Sequence, residues 1–294
     1  PVYAARAVVC DLAQRRLLSR VVRDLHIVGA RACVAGGFAA WQLERYLEVA
    51  AGRDGFPHAS RFTHVVNTTW RNDVWMPQDV DLFVTTEDAE LTLNLVTNAY
   101  RDFLFALYAN AGDMRIVASS LEYHEGSDRP PPPPNVVRDL ARLHELPEIV
   151  VDACVAATHD VRRVDPPPRQ LVRSSWNILS TIDEPYVPMR LNVVLTDGGL
   201  DAPDYARWVT AHFDLLHCAV SCTVDADGEY HFRASSAAVH ALARRRLEFT
   251  PHAFLGVNTI RRVCKYLANG FSITGDAGVP VSDDVAIDSC DAIV

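Results

Sequence analysis

The chain has 294 residues, of which 49% are hydrophobic and 22% charged, a composition typical of a globular protein with a substantial core. Its net charge of −9 argues against broad, sequence-independent nucleic-acid binding, which requires many cations facing phosphates. No apolar run is long enough to span a bilayer, no signal-peptide pattern opens the sequence, and the seven cysteines are typical of reduced thiols. We therefore expect an intracellular protein with no membrane partner.

In the first part of the chain, hydrophobic periodicity predicts alternating helices and strands. The predicted elements are an amphipathic helix over residues 4–25, a short buried strand over 31–35, a helix over 37–50, a strand over 79–85 and a helix over 87–110. Thr86 is the predicted N-cap of the last of these helices. Residues 51–77 contain Gly, Pro and Asn without a clear period, which predicts a long loop or insertion.

The middle of the chain is rich in proline. The segment "RPPPPPN" at 129–135 cannot form a helix or a central strand, so we interpret residues 112–170 as an insertion. Beyond it, the predicted elements are strands over 171–181 and 189–196, a helix over 202–212, a hairpin that turns at Asp227-Gly228, and helices over 235–248 and 258–268.

The stretch "CVAGGFAAWQL" at residues 33–43 places Gly36-Gly37 between a predicted strand and a predicted helix. Such a turn lets backbone N–H groups and a helix N-terminus approach a phosphate closely. The dinucleotide fingerprint G-x-G-x-x-G is absent here, and a P-loop is excluded because the only lysine of the chain is Lys265. The remaining use of this turn is a nucleotidyltransferase site, in which a second strand carries Asp-x-Asp.

The predicted strand that begins at residue 79 carries this pair, Asp79 and Asp81. Because side chains alternate along a strand, both carboxylates should project from the same face, with Val80, Leu82 and Val84 buried on the other. Two carboxylates that close repel each other unless a cation is shared between them, and Mg²⁺ prefers oxygen ligands. A strand end that merely faces solvent is the alternative interpretation of the pair.

With these motifs in place, the chain resembles the nucleotidyltransferase superfamily, the fold of DNA polymerase beta, poly(A) polymerases and tRNA-nucleotide-adding enzymes. The resembling segments are Val34-Ala35-Gly36-Gly37-Phe38-Ala39-Ala40-Trp41 and Gln78-Asp79-Val80-Asp81-Leu82-Phe83. More loosely, these segments together with "HFDLLHC" at 212–218 and "RRVCKYLANGF" at 261–271 resemble nucleotidyltransferase-like proteins of large DNA viruses.

The resemblance implies an α/β (α+β) fold with a small mixed sheet flanked by helices. Residues 1–200 would form the nucleotidyltransferase-like core with its insertions at about 51–77 and 112–170. Residues 201–294 would form a C-terminal part with a strand hairpin and helices packed on the core, and an acidic tail from about residue 275. Strands 31–35 and 79–84 should be neighbours, with Gly36-Gly37 beside the aspartates.

The family also implies roles for individual residues. Asp79 and Asp81 would be catalytic and would hold Mg²⁺ or Mn²⁺, while Gly36, Gly37 and the N–H of Phe38 would cradle the triphosphate. The family places a third carboxylate on a later strand, and the best match here is Asn192, between Leu191 and Val193. Asn192 could ligate a cation through its carbonyl but could not act as a base.

Two departures from the family pattern follow from the sequence. The glycines and Asp79 lie much further apart than in the family, so residues 51–77 must be inserted between them, which loop-closure entropy tolerates. The missing third carboxylate could instead be supplied by Asp214 of "HFDLL", although a turn or cap role for that residue is the simpler interpretation.

We therefore expect an Mg²⁺-dependent transferase that moves a nucleotide from an NTP to an unknown hydroxyl acceptor: a small molecule, a protein side chain or an RNA end. The alternative is a catalytically degenerate relative with a binding or structural role, for example in a virion. The cytoplasm is the expected location, or the host cytoplasm or virion for a viral protein.

Other constellations are weaker predictors of function. His217, Cys218, Cys222 and His231 do not have the spacing of a zinc site, and no hydrolase signature is present. Three basic residues on the last predicted helix form either a solvated face or a contact surface for phosphate: Arg261, Arg262 and Lys265.

Overall fold

The computed structural model describes a mixed α/β chain built on one sheet. The described residues are 2–50, 79–108, 112–118, 138–139, 148, 151–152, 172–180, 190–196, 198–225, 227–250 and 257–272. The predicted insertion over 51–77, the proline run at 129–135 and the acidic tail from about 275 lie outside these residues. Among the described residues, no helix has the length and apolar character needed to cross a lipid bilayer.

Seven strands form the sheet within the described part of the chain. The strands are β1 (Arg31–Ala35), β2 (Asp79–Thr85), β3 (Met114–Ala118), β4 (Val172–Ser180), β5 (Arg190–Thr196), β6 (Val220–Val224) and β7 (Tyr230–Ala234). Their order across the sheet is β3-β4-β5-β2-β1-β6-β7, and all neighbours are antiparallel except the parallel pair β2–β5. The predicted adjacency of strands 31–35 and 79–84 is confirmed by the β1–β2 pairing.

The helices precede, separate and follow these strands. They are α1 (Val2–Ile27), α2 (Gly37–Ala50), α3 (Ala89–Tyr108), α4 (Tyr205–Thr210), α5 (Ser236–Ala243) and α6 (Val257–Ala268), with a short 3-10 turn over Leu216–Cys218.

The two faces of the sheet differ in what covers them. Val80, Leu82 and Val84 of β2 are buried as predicted, in the large core formed with side chains of α1, α2 and α3. We call this side the core face. Asp79, Asp81 and Phe83 alternate with those valines and leucine, so they project from the opposite side, which we call the outer face.

The outer face is divided into two patches. Cys33, Phe83 and Val194 form an apolar patch that packs against α4, with buried contacts from Tyr205 and Val209. Next to it, a polar patch consists of Asp79, Asp81 and Asn192. As whole residues, Asp79 and Asp81 are neither fully buried nor fully exposed.

Three details differ from the sequence-based expectations. Met114–Ala118 forms edge strand β3, although the sequence assigns it to an insertion. The N-terminus of α3 is capped by Asp88, whose carboxylate accepts from the N–H of Leu91 at 2.9 Å, whereas the Thr86 hydroxyl accepts from the N–H of Asp88. The β6–β7 hairpin extends the sheet by pairing with β1, so the sheet is larger than the small sheet that the resemblance implies.

Candidate functional site

The turn between β1 and α2 brings a glycine next to an aspartate. Gly36 has φ +85°, a left-handed conformation that favours glycine, and its N–H donates to the carbonyl of Val220 at 2.9 Å. A Cβ atom at Gly36 would lie 3.6 Å from Oδ2 of Asp81. The glycine turn therefore lies directly beside the polar patch.

Helix α2 begins at this turn and presents its N-terminus to the same place. The carbonyl of Gly36 accepts the first helical hydrogen bond, from the N–H of Ala40 at 3.0 Å. Since glycine has no side-chain oxygen, Gly36 cannot cap the other N–H groups of the first turn. The Phe38 side chain packs in the core against Trp41 and Tyr230, so only its backbone can serve the site.

Asp81 and Asn192 are directly joined. They are register partners on the parallel strands β2 and β5, and the Asn192 amide donates from Nδ2 to Oδ1 of Asp81 at 2.7 Å. The other atom of this amide, Oδ1, is buried and accepts no hydrogen bond. The structure thus brings Asn192 to the two aspartates, and it leaves one amide oxygen without a partner.

The charge state of Asp81 reflects its crowded surroundings. Burial and the nearby charge of Asp79 raise the pKa of Asp81 to about 7, while the Asn192 hydrogen bond and the positive charges of Lys265 and Arg262 act in the opposite direction. Burial and a neighbouring carboxylate both disfavour the ionised form. A divalent cation bound at this position would relieve both effects.

The side chains of the polar patch supply oxygen donors for a divalent cation. Two carboxylates and the unpartnered Oδ1 of Asn192 are oxygen donors of the kind that Mg²⁺ accepts, with the remaining positions filled by water or phosphate oxygens. Within the described residues, no group of three or more His, Cys, Asp or Glu side chains could hold a metal ion. Two carboxylates and one amide oxygen nevertheless form a donor set of the kind that Mg²⁺ and Mn²⁺ accept.

Asp214 has a different environment from the aspartates of the polar patch. It is buried, and its carboxylate accepts from the Thr259 hydroxyl at 2.6 Å and from the Arg262 guanidinium at 3.0 Å. Both partners belong to α6. These contacts make Asp214 an anchor for that helix, because its oxygens are already engaged.

Helix α6 closes one side of the site. A Cβ atom at Gly37 would lie 3.0 Å from the hydroxyl oxygen of Tyr266, so this side chain packs against the start of α2. The Tyr266 hydroxyl also accepts from the thiol of Cys218 at 3.1 Å. Arg262 and Lys265, on the same helix, lie close enough to Asp81 to lower its pKa. The exposed Lys265 and the partly buried Arg262 therefore bring positive charge to the carboxylate pair.

Sequence reasoning named six site residues: Gly36, Gly37, Phe38, Asp79, Asp81 and Asn192. The structure places Asp79, Asp81 and Asn192 on one face of the sheet and Gly36 beside Asp81, while Gly37 and Phe38 open α2 directly after Gly36. It did not find Tyr266, and it left the position of Arg262 and Lys265 open. The spacing of Arg262 and Lys265 indicated that they share one face of a helix, whereas nothing in the sequence indicated which part of the protein that face meets.

Comparison with known proteins adds nothing to this geometry. Neither a protein-family model, nor a curated protein, nor a solved structure matches the chain. Any assignment of function therefore depends on the residues and contacts described above.

Proposed function

We propose that this chain is an Mg²⁺- or Mn²⁺-dependent nucleotidyltransferase that transfers a nucleotide from an NTP to a hydroxyl acceptor. The observation that carries the proposal is the position of Gly36 beside Asp81, with an added Cβ only 3.6 Å from the carboxylate. It brings an uncapped helix N-terminus, which favours phosphate, next to a carboxylate pair, which favours a divalent cation.

In this proposal Asp79 and Asp81 would hold the cation, which would supply charge to the reacting phosphate. Asn192 would join them through its carbonyl after a rotation of its amide, because in this structure its Nδ2 faces Asp81. The backbone N–H groups of Gly37 and Phe38 donate to the triphosphate. Lys265 and Arg262 add positive charge on the same side. The acceptor oxygen forms a bond to the α-phosphorus, the bond to the bridging oxygen breaks, pyrophosphate leaves, and the hydroxyl proton passes to solvent.

Most of the rate enhancement in this scheme comes from positioning and electrostatic stabilisation, both of which the chain's own groups can provide. Asn192 cannot accept the proton of the acceptor hydroxyl. General-base assistance is typically worth about 10²–10⁴-fold, so we expect the wild-type transferase to be slow.

A second candidate function is nucleotide binding without transfer. It is favoured by the Asn192 amide, which donates to Asp81 at 2.7 Å and stands where the family has a third carboxylate. In that case the fold would serve a binding or structural role, and the cation and nucleotide would be ligands rather than reactants.

Pyrophosphate release tests the two candidates without knowledge of the acceptor, because water can serve as a poor acceptor. Wild type, Asp81→Asn and Asn192→Asp would be incubated with each of the four NTPs and Mg²⁺. We expect slow release by wild type, none by Asp81→Asn, and faster release by Asn192→Asp. If wild type and Asn192→Asp bind Mg²⁺·NTP but release no more pyrophosphate than Asp81→Asn, nucleotide binding without transfer is the better account.

A further inference from the structure

The outer face continues past the polar patch onto β5, β4 and β3. Asp79 is the register partner of Arg190 on β5. On β4 and β5, Ile178 is the register partner of Leu191. Leu179 follows Ile178 and Arg190 precedes Leu191, so these two residues also lie next to each other. Arg115 of β3 is the register partner of Leu179. Arg115, Leu179, Arg190 and Asp79 therefore lie in one row across four neighbouring strands.

The spacing of this row follows from the sheet. Neighbouring strands are about 4.8 Å apart, so the Arg190 backbone lies about 5 Å from that of Asp79 and the Arg115 backbone about 14 Å from it. Both arginines are exposed, as is Val117, which follows Arg115 on the same face. No ion pair joins either guanidinium to a carboxylate in the part of the chain that the structure describes.

The row lies on the opposite side of β2 from the glycine turn. Gly36 and α2 follow β1, which flanks β2 on one side, whereas β5, β4 and β3 extend from its other side. A triphosphate bound at the start of α2 would therefore leave the two arginines free. In an in-line displacement the attacking and leaving oxygens lie on opposite sides of the phosphorus, so the acceptor approaches from the side of β5.

We propose that Arg190 and Arg115 form an acceptor site for a molecule that carries phosphate near its reactive hydroxyl. Arg190 binds a phosphate next to the carboxylate pair, and Arg115 binds a second phosphate further along the same acceptor. Guanidinium groups recognise phosphate through bidentate hydrogen bonds. Partly buried Leu179 offers apolar contact between the two arginines, and exposed Val117 offers it beside Arg115. This inference rests on the proposed function, for which it defines the class of acceptor.

The two arginines distinguish two sources of such an acceptor. A phosphorylated small molecule can reach Arg190 only, whereas an oligonucleotide end can reach both. The overall charge of −9 fits a local contact of this kind and not an extended nucleic-acid surface.

The test measures binding to the full chain in Mg²⁺ without NTP. The probes are a single-stranded RNA hexamer labelled at its 5′ end, followed by fluorescence anisotropy, and AMP, followed by thermal shift with adenosine as the uncharged control. The variants are Arg190→Gln, Arg115→Gln, and Arg190→Lys as a charge-retaining variant. Arg16→Gln is the matched control, because Arg16 is an exposed arginine on α1, which packs on the core face.

For an oligonucleotide acceptor we expect Arg190→Gln and Arg115→Gln each to weaken hexamer binding about tenfold, with partial recovery in Arg190→Lys. Each should also lower the salt dependence by about 0.7 in the slope of log affinity against log salt. For a phosphorylated small acceptor we expect AMP, but not adenosine, to stabilise the protein. Only the Arg190 variants should reduce this stabilisation by AMP. Either pattern supports the site.

The proposal is overturned if neither probe binds, if both arginine variants bind like wild type, or if Arg16→Gln loses as much affinity as they do. Stabilisation by Mg²⁺·ATP is measured in parallel and should persist in both arginine variants, because the triphosphate does not use this row. If Mg²⁺·ATP stabilises wild type while the arginine variants change nothing, the acceptor site alone is wrong. If Mg²⁺·ATP has no effect on wild type, the proposed function itself fails.

Discussion

The apolar patch and the polar patch occupy the same face of the same strands, and among the described residues only the apolar patch is covered by a helix. Phe83 and Val194 pack against α4, and two positions earlier on each of these strands stand Asp81 and Asn192. The first patch removes apolar surface from water, which stabilises the fold. The second brings two carboxylates together under partial burial, which costs stability.

This difference shows where function should be sought. A sequence optimised for stability alone would have continued the apolar pattern of β2 and β5 or left the strand ends fully solvated. Residues that raise the energy of the fold are most often retained where they bind or react. Substitutions in each patch should therefore have opposite effects on stability.

The largest expected effect is in the apolar patch. Phe83 is 6% exposed, and its ring centroid lies 5.5 Å from that of Phe213. We expect Phe83→Ala to lower the free energy of unfolding by about 3–4 kcal/mol, because it removes a buried ring and leaves a cavity. Urea denaturation measures this. Phe105, which is 50% exposed on α3, is the control, and Phe105→Ala should cost less than about 1 kcal/mol. Equal losses would mean that α4 does not cover Phe83 in solution.

The next effect separates a structural aspartate from the site aspartates. Asp214→Asn removes the charge that Arg262 and Thr259 contact, so it should lower the free energy of unfolding by about 2 kcal/mol. The matched control is Asp227→Asn, at an exposed hairpin position, with an expected change below about 0.5 kcal/mol. An unchanged stability of Asp214→Asn in urea denaturation would contradict the anchoring role.

In the polar patch we expect a substitution to increase the free energy of unfolding instead of lowering it. The folded-state pKa of Asp81 is raised to about 7, so in wild type the protonated form is favoured and stability is lost as the pH rises from about 4 to about 7. Asp81→Asn removes this titration. It should increase the free energy of unfolding at pH 8 by an amount on the order of 2 kcal/mol and flatten its pH dependence over that window, when metal is absent. A variant that is less stable than wild type at pH 8 would contradict the interpretation.

The smallest effect concerns the glycine turn, and it tests binding rather than folding. Gly36 and Gly29 both have positive φ, +85° and +81°, so alanine at either position should cost about 1 kcal/mol. Nothing lies within 4 Å of a Cβ at Gly29, whereas one at Gly36 would face Asp81. Only Gly36→Ala should therefore weaken stabilisation by Mg²⁺·ATP in thermal melts. Equal nucleotide responses of the two variants would remove the glycine turn from the site.

Much of the fold could be predicted from local sequence. The bounds of β1, α2 and β2 were predicted as observed, because Gly36-Gly37 ends a strand and permits a helix to start, and because alternation defines β2. Strand β3 was missed, since Arg115, Ile116 and Val117 carry exposed side chains at the sheet edge and show no alternation of buried and exposed positions. Its pairing with β4 is a long-range contact that no local pattern encodes.

At the site, too, local pattern predicted some features, whereas long-range contacts could not be predicted. Period-two alternation was enough to place Asp79 and Asp81 on one face and to expect Asn192 beside them. The contact between Tyr266 and Gly37 was not predictable, because it depends on how α6 docks. That docking uses the ion pair between buried Asp214 and partly exposed Arg262, whose two members are far apart in sequence and each have several local interpretations.

The most direct test of the account is whether Mg²⁺ and a nucleotide together stabilise the folded chain through Asp81. The melting temperature of wild type would be measured with Mg²⁺ alone, with each NTP alone and with both, and the series repeated for Asp81→Asn with Gly29→Ala as control. A ligand at 100 times its Kd stabilises by about 2.7 kcal/mol, so we predict an increase of several degrees that needs both components, is retained in Gly29→Ala and is lost in Asp81→Asn. No increase with any NTP, or a full increase in Asp81→Asn, would contradict the account.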